Sequence, residues 1–464
     1  MISKFGERIP PKAVCIVCGT IVACVAACGN DAQSSGGGGG GKAPVASAGS
    51  SATSAGSSAA GSGGRASFGG AGSASGGTSA VADGGKPAEN AEAGTTSSSG
   101  ATGAGSVAGA SSATAGGGAG NASAGQSSTA PSCATSGPGR TDCGANGDES
   151  CCTSLPVNGG TYFRTYTNSG SGATGKADAA TVSTFRLDKY ETTVARFREY
   201  VKYLANGGSA PAAGSGKHAH LNAGKGLADS GKSGSFEAGW DASWNSKIPS
   251  GAGATAKWKA NLTSSSGAAG CKVYGSWTDE PGKNDLLPIT CTSWYESYAF
   301  CIWDGGFLPT EAEWKYAAAG GDEQRQYPWG TDAPGSNNAY AIYDCCYPAG
   351  KCSATSGGDT CTGLVNVAPV GFAKKGLGKY GQFDLIGSVW EWNLDKFADY
   401  VSPCTDCAYL TGSTTNRVLP GAGFHSGASL GSTIMYSYNR TSVSYNADTY
   451  RGDYAVGLRC ARSP

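Results

Sequence analysis

The stretch Leu308-Pro309-Thr310-Glu311-Ala312-Glu313-Trp314-Lys315-Tyr316-Ala317-Ala318-Ala319-Gly320-Gly321 writes the start and the stop of a helix in one line. Thr310 with Glu313 three residues on is a capping box, in which a hydroxyl and a carboxylate satisfy amides that a first helical turn leaves unpaired. Trp314, Ala317 and Ala318 then share one stripe, and Gly320-Gly321 ends it. Just upstream, Ser293-Trp294-Tyr295-Glu296 repeats the device, with Tyr295, Ala299 and Ile302 on one side and a stop at Asp304-Gly305-Gly306. A third helix is expected from about Thr193 to Leu204, where Phe197 and Val201 stand at i,i+4 before Asn206-Gly207-Gly208. Elsewhere, short segments containing Tyr and Val alternate with Gly, Asn, Asp and Ser turns, which reads as short strands and long loops. The fold class is α+β with much irregular structure.

Around this core the chain changes character. Of 464 residues 77 are Gly, and Lys plus Arg (34) balances Asp plus Glu (34), so no basic field exists to gather nucleic acid. All ten Trp and all 21 Tyr lie beyond Cys133. By contrast, 76 of the 100 residues from Asp31 to Ala130 are Gly, Ser or Ala, too little apolar surface to offset chain entropy. Residues 28–132 are therefore expected to form a disordered tether of roughly 50–60 Å span. Residues 133–158 read as a Cys-rich lead-in and 159–464 as the folded domain.

At the other end, Lys4, Arg8 and Lys12 precede an apolar run from Ala13 to Ala27, the pattern of a secretory signal over residues 1–27 and too short to span a bilayer. Its close, Val25-Ala26-Ala27-Cys28, resembles a bacterial lipobox, which makes Cys28 a lipidation site. Gly29 is not the usual inner-membrane retention residue, so the outer-membrane lipid is the expected partner. Export agrees with the cysteines: fourteen remain beyond Cys28, an even number that suits full pairing. Cys404-Thr405-Asp406-Cys407 could be a redox motif or half a zinc site, but without a second CxxC it reads as a structural staple.

Several motifs occur in an order that resembles one family. Gly159-Gly160-Thr161-Tyr162-Phe163 is followed by Phe185 to Thr193, then Pro288 to Trp303, then Leu308 to Trp314. Tyr327-Pro328-Trp329-Gly330, Asp384-Leu385-Ile386-Gly387-Ser388-Val389-Trp390-Glu391-Trp392 and Gly457-Leu458-Arg459-Cys460 complete the order. Over about residues 159 to 462 the chain resembles the sulfatase-modifying factor family, whose founding member is the formylglycine-generating enzyme. The resemblance implies a C-type-lectin-related fold, structural calcium, and a disulfide from Cys460 back to a cysteine of the 271–301 region. In the active oxidases it also implies a copper ion held by two cysteines just after an "RGGS" segment.

Here the resemblance breaks. The equivalent run is Arg417 to Ser426; Gly423 replaces the serine, and Ser426 and Gly431 stand where the two thiols would be, with His425 nearby. Cu(I) is held by soft thiolates, so copper is not expected. An iron site would need His218, His220 or His425 to meet by coincidence; His218 and His220, in a Gly/Lys/Ala loop, read as exposed imidazoles. Glu311 and Glu313 are accounted for by the cap and the fold. The implied calcium ligands carry over as the side chains of Asp384 and Glu391 with the carbonyls of Gly387 and Val389, and a second site would use Asn338 and Asp359. The expected function is an exported lipoprotein that binds a peptide or glycan without oxidising it; the alternative is an oxidoreductase of the family using another metal or substrate.

Overall fold

The computed structural model describes residues 130–144, 146–263, 269–350, 361–427, 432–440, 450–451 and 455–464. The chain divides into two units, residues 1–110 and 111–464, and every described residue lies in the second. Cys28, Cys352, Asp359 and Gly431, and the expected signal and most of the expected tether, lie outside the described residues.

Short sheets and caps make up the framework. Strand β1 (Ser154–Val157) pairs antiparallel with β4 (Phe185–Asp188), which also pairs with the closing strand β10 (Ala461–Arg462). The hairpin of β2 (Gly160–Asn168) and β3 (Ala173–Val182) runs from Gly160 opposite Val182 to Asn168 opposite Ala173. Along β2 the buried residues are Tyr162, Arg164, Tyr166 and Asn168, the period of two that a half-covered strand demands. Strand β5 (Ala228–Asp229) and β6 (Trp390–Glu391) pair in parallel with β8 (Cys407–Ala408) and β9 (Val456–Gly457) respectively, and β7 (Cys404–Thr405) adds in parallel to β3.

The helices stand where their caps place them. Helix α1 is Val194–Ala205, with Thr193 accepting from the Arg196 amide; α4 is Trp294–Trp303 and α5 is Glu311–Ala318, each opened by its full capping box. Two helices occur in the region expected to be loops, α2 (Ala254–Thr263) and α3 (Ala269–Tyr274). In α2, Ala254, Trp258 and Leu262 recur every four residues and are buried, a stripe that the surrounding Gly and Ser obscure. Among the described residues no helix is long and apolar enough to cross a membrane.

Ion pairs lock the ends of the domain. Arg196 on α1 and Arg462 on β10 share Asp188 and Asp304 at 2.7–3.3 Å, all of them buried. Because each charge is matched, removing one partner would strand another in a low-dielectric interior. Ser132 joins this network: its amide donates to Asp304 and its hydroxyl accepts from Arg196 Nε. Ala130 and Ser132, within the span expected to be tether, are buried. Among the described residues every cysteine is disulfide-bonded. Cys133–Cys152 and Cys143–Cys151 staple the lead-in, Cys404–Cys407 closes its own loop, and Cys301–Cys460 is the tie that the resemblance implied.

Candidate functional site

The run from Arg417 to Ser426 passes through the interior. Val418, Pro420 and Phe424 bond to the 388–393 segment, through Asn393 N to Val418 O, Glu391 N to Pro420 O and Phe424 N to Ser388 O. At its end Ser426, 1% exposed, accepts the Gly423 amide on Oγ at 3.0 Å, and its carbonyl accepts the Asp344 amide. The residue at the expected thiol position therefore closes a turn. Gly423 and His425 fit each other: a Cβ at Gly423 would lie 2.9 Å from His425 Nδ1 and 2.8 Å from Ala455 Cβ. Restoring the serine would need the neighbours to move. Two disulfides, Cys271–Cys291 and Cys345–Cys361, border this region, with the Cys345 amide donating to Phe424 O and Tyr274 packing on the buried Phe424 ring.

The turn expected to hold calcium is built from strained backbone, with φ of 57° at Asp384, 86° at Gly387 and 62° at Ser388. Asp384 accepts the Gly371 amide, and Glu191 accepts from Ser388 Oγ and the Val389 amide. Both oxygens of Glu391 lie 2.8 Å from Arg459 Nε, and one also accepts the Trp314 indole N–H at 2.7 Å. Glu391 thus pairs with Arg459. Carboxylates are in excess around it: Glu191, Asp384 and Glu391 face the Arg459 guanidinium, with Lys374 acting on Asp384. Burial, with the neighbouring carboxylates, raises Glu191 well above the carboxylate range; burial raises Asp384 to about 6 against the pull of the Gly371 amide and Arg459. A hard divalent ion fits Asp384 and the Gly387 and Val389 carbonyls in donor type. Among the described residues no three of His, Cys, Asp or Glu converge as a metal centre. Asn338 is buried with φ of 59°, donating to Cys346 O.

His218 corrects the sequence reading most sharply. Instead of being exposed it is fully buried, with Nδ1 3.0 Å from Glu237 and Nε2 3.3 Å from Glu313, the N3 carboxylate of the α5 capping box. Burial alone would depress it, but Glu237 and Glu313 outweigh that and push it up to about 10. His218 is a structural cation joining the 218–237 loop to α5. The signal that could have found it is Glu313 itself, a capping carboxylate whose Oε2 accepts the Thr310 amide and also meets His218. His220 stands beside it, the two rings 6.2 Å apart and both against Phe307, with Ser463 at its Nδ1; His425 packs on Phe424, and no metal centre forms from these histidines among the described residues.

Comparison with known proteins agrees with this framework. The family described as "Sulfatase-modifying factor enzyme 1-like domain" matches residues 140–464, and the chain belongs to that family. It is similar to a formylglycine-generating enzyme of Thermomonospora curvata, 37% identical over 156 residues that cover 32% of this chain and 47% of that one. It is also similar to the "Inactive C-alpha-formylglycine-generating enzyme 2" of Mus musculus, 32% identical over 178 residues, covering 38% and 49%. The chain thus spans less than half the length of these relatives. Among solved structures, PvdO from Pseudomonas aeruginosa aligns over 71% of this chain and 100% of its own, at 18% identity and a TM-score of 0.40.

Proposed function

We propose that this chain is an exported, lipid-anchored member of the family that binds a peptide or glycan and does not make formylglycine. The observation that carries this is Ser426: buried, and engaged by the Gly423 amide where a copper thiolate would be needed. Every described cysteine is in a disulfide, so none can supply the soft ligand. The similarity to a relative named inactive is in keeping with it. On this reading the anchor is Cys28, the partner lipid is that of the outer membrane, and calcium at Asp384, Gly387 and Val389 is structural, with Glu391 neutralising Arg459. The test is to incubate the purified exported protein with Cu(I), oxygen and a cysteine-containing sulfatase peptide, and to follow the peptide by mass spectrometry. No formylglycine and no stoichiometric copper are expected. Copper binding with oxygen consumption on the peptide would overturn the reading.

A further inference from the structure

A cleft of about 520 Å³ opens on a different part of the domain, between the 229–244 loop and the 394–417 segment, and shares no residue with 421–426. Its size falls within the roughly 300–1,000 Å³ typical of small-molecule sites. Trp244, partly exposed, stands in it with its ring set by two edge-on neighbours, Trp240 at 5.3 Å and 88° and Trp294 at 5.4 Å and 81°. Such a ring is a platform whose orientation was decided before any ligand arrives. Phe236, 38% exposed, lies at the same cleft. Aromatic area that both residues leave to solvent in the cleft is area an occupant would cover.

The polar lining has both signs. Asp229, Glu237 and Asp241 face Lys396 and Arg417. Asp229 is engaged by the Leu410 and Thr411 amides and the Thr411 hydroxyl, and Glu237 by His218. Asp241, exposed, caps a short turn through the Ser243 amide. The Arg417 guanidinium carbon lies 3.6 Å from the centre of the Trp294 ring. An anionic ligand would meet the carboxylates and a cationic one the guanidinium and ammonium. An uncharged ligand carrying hydroxyls on its edge can donate to Asp241 and accept from the Lys396 ammonium, which also donates to Gly412 O, while an apolar face covers Trp244. A pyranose ring has that combination: axial C–H groups on one face and hydroxyls around the rim.

We propose that this cleft binds a neutral saccharide, its ring stacked on Trp244 and its hydroxyls divided between Asp241 and Lys396. The inference rests on the binding-module reading for its purpose and names that module's ligand class and place. The experiment titrates the full-length protein with glucose, galactose, mannose, N-acetylglucosamine and their disaccharides, read by calorimetry and by tryptophan emission. At least one should bind at millimolar concentration or below and shift the emission. Trp244→Ala should weaken that binding by roughly tenfold or more, as truncation of a stacking Trp commonly does. Because Trp244 packs on Trp294, Lys396→Met serves as the second variant, expected to weaken binding with its melting temperature unchanged. Lack of binding by every sugar, or binding that survives both substitutions, would overturn the proposal, as would preference for a free aromatic amino acid over all the sugars. The copper assay reads the 421–426 segment independently, so failure here and failure of the non-oxidising reading are separately visible.

Discussion

The polypeptide from Leu394 to Ser426 borders two regions of opposite character. At one end, Leu394, Lys396 and Arg417 line an open cleft against Trp244. At the other, Gly423, Phe424 and Ser426 are buried and hydrogen-bonded to their surroundings. On the proposed reading the family's chemistry would fall in the second region, where Gly423 and Ser426 stand in place of a serine and a thiol. Both regions rest on the same scaffold, the capping boxes, the Cys301–Cys460 tie and the buried Arg–Asp network, so one segment serves an open surface and a packed interior at once.

The sharpest way to break this comparison is through His218, which connects Glu237 of the cleft wall to Glu313 of α5. His218→Gln should destabilise the domain by about 3–5 kcal/mol, because a buried carboxylate loses its charge partner; chemical denaturation measures it. The pH dependence follows from the same pair. The folded value, about 10, is above the ordinary 6.5, so this stabilisation is fully present below pH 6.5 and is lost as pH rises through about 10. The wild-type midpoint should fall over that window by more than that of His218→Gln.

Calcium bears on the closed region's neighbour. Chelation should lower the melting temperature, and Asp384→Ala should remove that response. An ion at a hundredfold excess over its Kd stabilises by about 2.7 kcal/mol, the most the scan should show at that concentration. An unchanged melting curve on chelation would leave Arg459 and Lys374 as the counter-charges of the cluster. Gly423→Ser should destabilise by about 1–3 kcal/mol through crowding of His425 and Ala455, without conferring copper binding. A neutral or stabilising result would show that the segment is still shaped for the lost serine. Smallest in its effect on the fold is Cys28→Ala: detergent partitioning should move from the membrane to the aqueous phase while the melting temperature stays constant. Partitioning that does not change would remove the lipid anchor.

What was legible in the sequence was whatever is encoded by neighbours along the chain. Ser293 with Glu296 and Thr310 with Glu313 set two helix starts within four residues each, and both stand as read. Ordered motifs from Gly159 to Cys460 identified the family, and the loss of thiols between Cys407 and Cys460 was visible by inspection. Helix α2 was missed because its three apolar contacts are diluted among Thr, Lys and Asn.

The sequence by itself determined the fold class, the capped helices and the absence of a thiol pair beyond Cys407, because these depend on residue identity and local spacing. Tertiary structure alone decided that His218 is a buried cation, that Glu391 faces Arg459, that Ser132 belongs to the domain and that Trp244 stands in a cleft. Each of those depends on partners 19 to 172 residues away or on packing around a ring, as with His218 and Glu237 or Ser132 and Asp304. A buried charge takes whichever counter-charge the fold brings within about 3 Å, and separation along the chain does not enter that energy.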